Sequence, residues 1–231
     1  MGGVASYILH RSDEIVLSAC VDQILSRPLA EVTVKSVVLA SGLTEWRAYR
    51  AVRRVARNRD HLISRAVSLL AARIVTQIEA GPVQSASVYE TIDAIVKHMA
   101  RVMGGAEYEN LYRLLLRDGS FQPWLREIYE ERAAAAFCGR LEEGVRRAGR
   151  QIGVAVFFRP GAPREALRRL EWALLLPRLV PGGCPTPEDE AVVVVNVARE
   201  AFDQTCAWDL GAAEQMSNPE FENVTLWQQP S

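Results

Sequence analysis

Residues 33–54, TVKSVVLASGLTEWRAYRAVRR, constrain the fold more than any other stretch of the chain. Val34, Val37 and Val38 lie at i, i+3 and i+4, the spacing that gives a helix one apolar face. Gly42 follows where the chain must turn through a left-handed conformation that side chains resist. Thr44 then offers its hydroxyl as the N-cap of a second helix, with Arg47 at the third helical position and Ala48, Tyr49 and Val52 inside it. A short apolar helix, a glycine turn and a second helix crowded with arginine have the anatomy of a DNA-binding helix-turn-helix.

The charge distribution agrees with that expectation. The 231 residues are 49% hydrophobic with a formal charge of -1, enough apolar material for a sizeable core and no general cationic coat. Residues 1–59, however, hold nine Lys or Arg against five Asp or Glu, a surplus of +4 that leaves -5 on the remainder. Cys20, Cys138, Cys184 and Cys206 are scattered, with no CxxC pair and no His at metal-ligand spacing, which predicts reduced thiols in a cytoplasmic protein and no metal site. The N-terminus is too short and mixed for a secretion signal. The longest apolar runs, 152–158 and 191–195, fall far below the roughly 20 residues that span a bilayer, so no membrane is expected.

Upstream, Ser12, Asp13 and Glu14 open a helix expected to run to about Ser26, carrying Ile15, Val16, Ala19, Cys20, Ile24 and Leu25 on its apolar stripe. With that brace in place, residues 14–52 resemble, without a gap, the N-terminal domain of TetR-type transcriptional regulators. The family pattern is met by Thr33 and Val34, Val37, Ser41, Gly42, Leu43, Thr44 and Tyr49. It is not met by Trp46, where a small residue is usual, by Ala48 in place of a large aliphatic, or by Val52 in place of Phe. The link into the fourth helix also reads longer, as RRVARNR over 53–59.

Beyond it, a helical pattern over 60–79 closes at Gly81 and Pro82, and Ser85 or Ser87 caps a helix that stops at Gly104 and Gly105. Two further helices follow, over 107–117 and from Pro123 past Val145. Residues 152–158 are strand-like in composition but leave helix end and extended connection both open. A helix over 164–180 should kink or end at Pro177, and Thr186 caps a last helix expected to reach 209. The expected architecture is all-α. It comprises a DNA-binding domain with its helix-turn-helix over 1–59, a larger helical ligand-binding and dimerisation domain over 60–210, and a loose tail over 211–231.

The arginines 47, 50, 53 and 54 recur at helical spacings, so Arg47, Arg50, Arg53 and Arg54 are candidates for a shared groove-facing surface. Glu45 and Trp46 stand closest to where bases would lie, Glu45 to accept from cytosine and Trp46 for apolar contact. The resemblance adds Thr33, Thr44 and Tyr49 as phosphate contacts, with Lys35 as a helper. In the body it implies an apolar or aromatic small-molecule effector, with Met99, Met103, Tyr108, Tyr112, Phe121, Trp124, Phe137 and Trp172 as candidate pocket residues. It also implies a homodimer through the last two long helices, where Leu167, Leu174, Val192, Val193, Val195 and Phe202 are seam candidates. His10, His61 and His98 stand apart, and no HExxH, GxSxG or phosphate-cradling glycine loop is present, so neither an enzyme nor a cofactor is expected. The leading expectation is a ligand-responsive repressor that binds double-stranded DNA at a near-palindromic operator. The alternative is a TetR-like ligand-binding or partner protein whose head does not read DNA by itself.

Overall fold

The computed structural model describes residues 10–83, 85–179 and 186–209, the side chains of Trp208 and Asp209 aside. Helix α1 (Arg11–Ser26) packs on α2 (Val34–Ala40) and α3 (Glu45–Val55), and α1 and α3 lie against α4 (Arg59–Glu79). Then come α5 (Val88–Met103), α6 (Ala106–Asp118) and α7 (Pro123–Ile128), which runs through a π-helical turn (Tyr129–Ala134) into α8 (Ala135–Gln151). Helix α9 (Ala162–Leu170) likewise passes through a π turn (Glu171–Leu175) into α10 (Leu176–Leu179), and α11 (Pro187–Asp203) closes the helical order. One apolar core runs continuously from Val16 to Ala201, so the helices on both sides of α4 share it. No helix among the described residues is long and apolar enough to cross a membrane.

Local sequence explains most of these boundaries. Thr33 and Ser36 form a capping box at α2, Ser87 accepts from the Glu90 N–H at α5, and Thr186 with Asp189 forms a second box at α11. Gly42 has φ +65, and a Cβ there would meet nothing within 4 Å. Backbone conformation alone therefore requires the glycine. Pro177 falls two residues after the Glu171–Leu175 π turn, where a helix must accommodate a residue with no N–H.

The structure differs from the sequence expectations at three places and decides a fourth, 152–158, that the sequence left open. The RRVARNR stretch is not a long link: α3 continues to Val55, α4 opens at Arg59, and three residues join them. Residues 152–158 end in a strand, β1 (Val154–Phe158), paired antiparallel with β2 (Thr205–Asp209) from Val154↔Asp209 to Phe158↔Thr205. This ribbon is an addition to an otherwise helical architecture, and it shortens the last helix, which stops at Asp203. Gly149 permits it, since a Cβ there would stand 2.6 Å from the Val154 carbonyl oxygen. Finally, Leu167 and Leu174 are buried in the chain's own core and leave no surface for a partner. The tail expected over 211–231 lies outside the described residues.

Candidate nucleic-acid interface

Helix α3 buries Ala48, Ala51, Val52 and Val55, one side of an eleven-residue helix. At 100° per residue the opposite side centres on Trp46, Arg50 and Arg53, with Glu45 and Tyr49 beside them. These five line one shallow groove along the helix. Trp46 is 68% exposed, which removes it from any core role, while Tyr49 is half-buried against the core. The Arg50 guanidinium lies over the Trp46 ring, 5.1 Å from its centroid, a cation–π stack between residues one turn apart. Arg47 is exposed at the edge of the same surface, and neither it nor Arg50 or Arg53 forms an ion pair among the described residues.

Arg54 does not belong to this surface. Its Nε donates to Asp13 Oδ1 at 3.0 Å and its Nη2 to Ser12 Oγ at 2.8 Å, with a second bond from Nη2 to Asp13. Asp13 is 6% exposed, so the acidic start of α1 serves as the anchor that fixes α3, beyond any effect on the helix dipole. The sequence could not show this, because the two residues stand 41 positions apart. Arg59 is a second unforeseen brace: its guanidinium donates to the carbonyl oxygens of Val32 and Leu29 and to Asp60 Oδ1.

The hydroxyls divide into two kinds. Thr33 Oγ1 accepts from the Ser36 N–H at 3.0 Å and keeps its own proton to give. Thr44 occupies the N-cap position of α3 yet makes no side-chain capping bond, contrary to the sequence expectation, so its hydroxyl and the first N–H groups of α3 face solvent. Lys35, Thr33 and Thr44 are all exposed. Exposed donors and cations at a helix start, flanking an arginine–aromatic face, can bind phosphates on both sides of a groove-facing helix.

The eight candidate effector residues do not gather in one place. Met99, Met103, Tyr108 and Phe137 are close-packed core, Tyr112 and Trp124 are half-buried, and Phe121 and Trp172 are 83% and 61% exposed. Tyr108 instead organises a buried polar cluster missed from sequence. Its hydroxyl donates to Glu171 Oε1 at 3.0 Å and lies 3.1 Å from the Tyr129 hydroxyl, while the Arg164 guanidinium stacks on Tyr129 at 5.6 Å and pairs with Glu130. Burial pushes the Glu171 carboxyl up to about 7, against the opposing hydrogen bond from Tyr108. Burial likewise raises the Tyr108 and Tyr112 hydroxyls, with Glu171 adding to both. Arg164 Nη1 is buried with no hydrogen-bond partner among the described residues. Tyr129 and Glu171 are each the first residue of a π turn, so two irregular turns meet at one polar cluster. Two thiols are held in their unreactive protonated form: burial pushes Cys20 up to about 12 and Cys138 to about 11.

Solved structures place this arrangement. A candidate transcriptional regulator from Streptomyces coelicolor superposes with a TM-score of 0.60 at 17% identity, over 83% of this chain and 99% of that one. A candidate TetR-family regulator from Mesorhizobium loti gives 0.53 at 15%, over 84% and 94%, and a TetR-family regulator from Pseudomonas syringae gives 0.59 at 14%, over 83% and 95%. The chain has the TetR-type fold. No protein-family model matches the sequence, and neither does any curated protein. Within that fold, α2, the turn at Gly42 and α3 form the helix-turn-helix. At these identities the comparison carries the fold alone, and the chemistry rests on the residues described above.

Proposed function

We propose that the chain is a ligand-responsive transcriptional regulator that binds a near-palindromic operator as a homodimer and represses until a mostly apolar small molecule releases it. The observation that carries this reading is the outer face of α3, where Trp46 stays exposed and Arg50 stacks on it in a fold that presents this helix. An exposed indole costs apolar hydration that a groove-facing role offsets, and a stacked guanidinium is pre-organised for bidentate contact with guanine. Arg47, Arg53, Thr33, Thr44, Tyr49 and Lys35 supply phosphate contacts, and Glu45 a base contact. The division into a DNA-binding head over 1–59 and a body over 60–210 belongs to the same reading.

A dimer is supported by a stripe on α11, where Val192, Val195 and Phe202 recur at i, i+3 and i+10 with exposures of 60%, 45% and 38%. Exposed Trp172 and Leu176 add apolar surface at the α9–α10 junction. Two-fold pairing would set two recognition helices one groove turn apart. The effector is expected in the body, where the Tyr108–Glu171–Tyr129 cluster offers polar anchors amid apolar core.

Binding of the purified chain to the DNA beside its own gene, followed across a salt series, tests the reading. A specific fragment should be retained over random DNA, and the double variant Arg47→Ala with Arg50→Ala should lose that preference. Equal binding to random DNA would refute it, and indifference of the double variant would favour the partner-protein alternative.

A further inference from the structure

Trp46 and Arg50 stand at the centre of the outer face of α3. At 100° per residue, Trp46 lies within about 10° of the direction opposite the buried side and Arg50 about 30° from it, with Arg47 and Tyr49 about 90° and 70° round to either flank. A helix seated in the major groove turns its centre to the base edges and its flanks to the phosphates of the two strands. Both central residues also fall within the first two turns of α3, the end from which such helices reach the bases.

The chemistry of this centre is one-sided. A guanidinium and an indole N–H donate, the indole ring is apolar, and neither side chain accepts a hydrogen bond. Glu45, which does accept, lies about 110° from the centre of the face. Donors of this kind match the keto bases: guanine shows the major groove two acceptors, N7 and O6, and thymine shows one acceptor, O4, beside its methyl group. Adenine and cytosine each turn an amino donor to the groove, and a centre without acceptors leaves that donor unpaired.

The stack sets the spacing. The Arg50 guanidinium is 5.1 Å from the centre of the Trp46 ring, more than one base-pair rise of about 3.4 Å and less than two. With the guanidinium level with one base pair, the indole is therefore level with the neighbouring one. The paired acceptors of guanine suit the guanidinium fork, and thymine alone among the bases offers the indole a methyl group together with an acceptor.

We propose that Trp46 and Arg50 together read a two-base step, a guanine at Arg50 and a thymine stacked next to it on the same strand at Trp46, with the thymine methyl as the group recognised. The step holds for either order of the two bases along the strand, and one copy belongs to each half-site. This inference rests on the regulator reading and deepens it.

The test selects duplexes from a random pool with the purified full chain. Each half-site of the enriched duplex should carry thymine next to guanine on one strand. Replacing that thymine by deoxyuridine in one half-site removes a single methyl group and should weaken binding about fourfold, as expected for one buried carbon. Trp46→Ala should respond to the same swap by less than about 1.5-fold, and Arg50→Ala should no longer distinguish guanine from adenine at its base pair. Trp46 is 68% exposed and Arg50 is exposed, and circular dichroism checks that both variants stay folded. An enriched site without the step, a uridine swap that costs the parent less than about 1.5-fold, a Trp46→Ala chain that still loses about fourfold, or an Arg50→Ala chain that still prefers guanine would overturn the proposal. The two readings fail differently: a pool from which no duplex is enriched defeats the regulator and the step with it, whereas an enriched site indifferent to the methyl group defeats the step alone.

Discussion

Arg53 and Arg54 are neighbours in the sequence, and alanine at each should have opposite consequences. Arg54 holds Asp13, which is 6% exposed, through two nitrogens. Its removal strands a carboxylate in the core, and breaking a buried pair in that way costs about 3–5 kcal/mol. The arginine side chain is 36% exposed, so water reaches part of the site and the expected loss falls to about 2–3 kcal/mol. Against a total stability of roughly 5–15 kcal/mol that is a large fraction. Arg53, by contrast, is exposed and unpaired among the described residues, so Arg53→Ala should change stability by less than about 0.5 kcal/mol. Its loss should instead lower the slope of log affinity against log salt on DNA by about one. Urea unfolding followed by circular dichroism measures the first effect, and fluorescence anisotropy with labelled DNA the second. The double variant Asp13→Ala with Arg54→Ala should recover part of the lost stability, because no charge is then left stranded. An Arg54→Ala chain as stable as the parent, or an Arg53→Ala chain that loses more than about 1 kcal/mol, would refute the assignment of clasp and groove residue.

Two further outcomes follow from burial. Glu171 holds its proton up to about 7 in the folded chain but only to 4.5 when exposed, so its contribution to stability is full below pH 4.5 and is lost as pH rises to 7. A rise of that size corresponds to about 3 kcal/mol at most, and Glu171→Gln, which still accepts from Tyr108, should abolish this part of the slope between pH 4.5 and about 7; parallel stability profiles for parent and variant would contradict it. On α11, Val195→Asp puts a charge in the middle of the exposed apolar stripe and should convert a dimer into a monomer in sedimentation at micromolar concentration while leaving the unfolding midpoint of the monomer unchanged; a variant that stays dimeric rules out this face.

What was legible in the sequence was local. The glycine turn at 42, the caps at Ser87 and Thr186 and the apolar stripes of α1 through α6 depend on residues within a turn or two of each other, and the structure shows each of them. Pairing across distance was not legible. The strand at 154–158 finds its partner about fifty residues later, and nothing in VAVFF distinguishes that from a buried helix end. The four-arginine surface failed at Arg54 for the same reason, since helical spacing places a side chain on a face and does not say what stands opposite it. Leu167 and Leu174 show the converse: an apolar residue on a helix looks alike whether its neighbour is this chain or a second copy. Tyr108 read as one of eight candidate pocket residues, and its polar partners came only with Glu171, 63 residues away, and with the π turns that begin at Tyr129 and Glu171.

The arginine braces also settle how the N-terminal helices are joined to the rest. Arg73 of α4 donates to Ser18 Oγ of α1 at 3.0 Å and stands 3.7 Å from Glu107 at the start of α6. Arg117, near the end of α6, reaches back to the Ile24 carbonyl oxygen at 2.8 Å. Helix α1 is thus attached to α6 at two levels, directly at one and through α4 at the other, and α1 in turn holds α3 through Asp13 and Arg54. A three-helix unit on a flexible tether could ignore what happens in α6. Fixed in this way, it must either move with α6 or break two charge-assisted contacts, each worth about 1.5–3 kcal/mol when the donor is a guanidinium. A displacement of α6 or of the turn after it would therefore reach α3 through a short chain of named contacts.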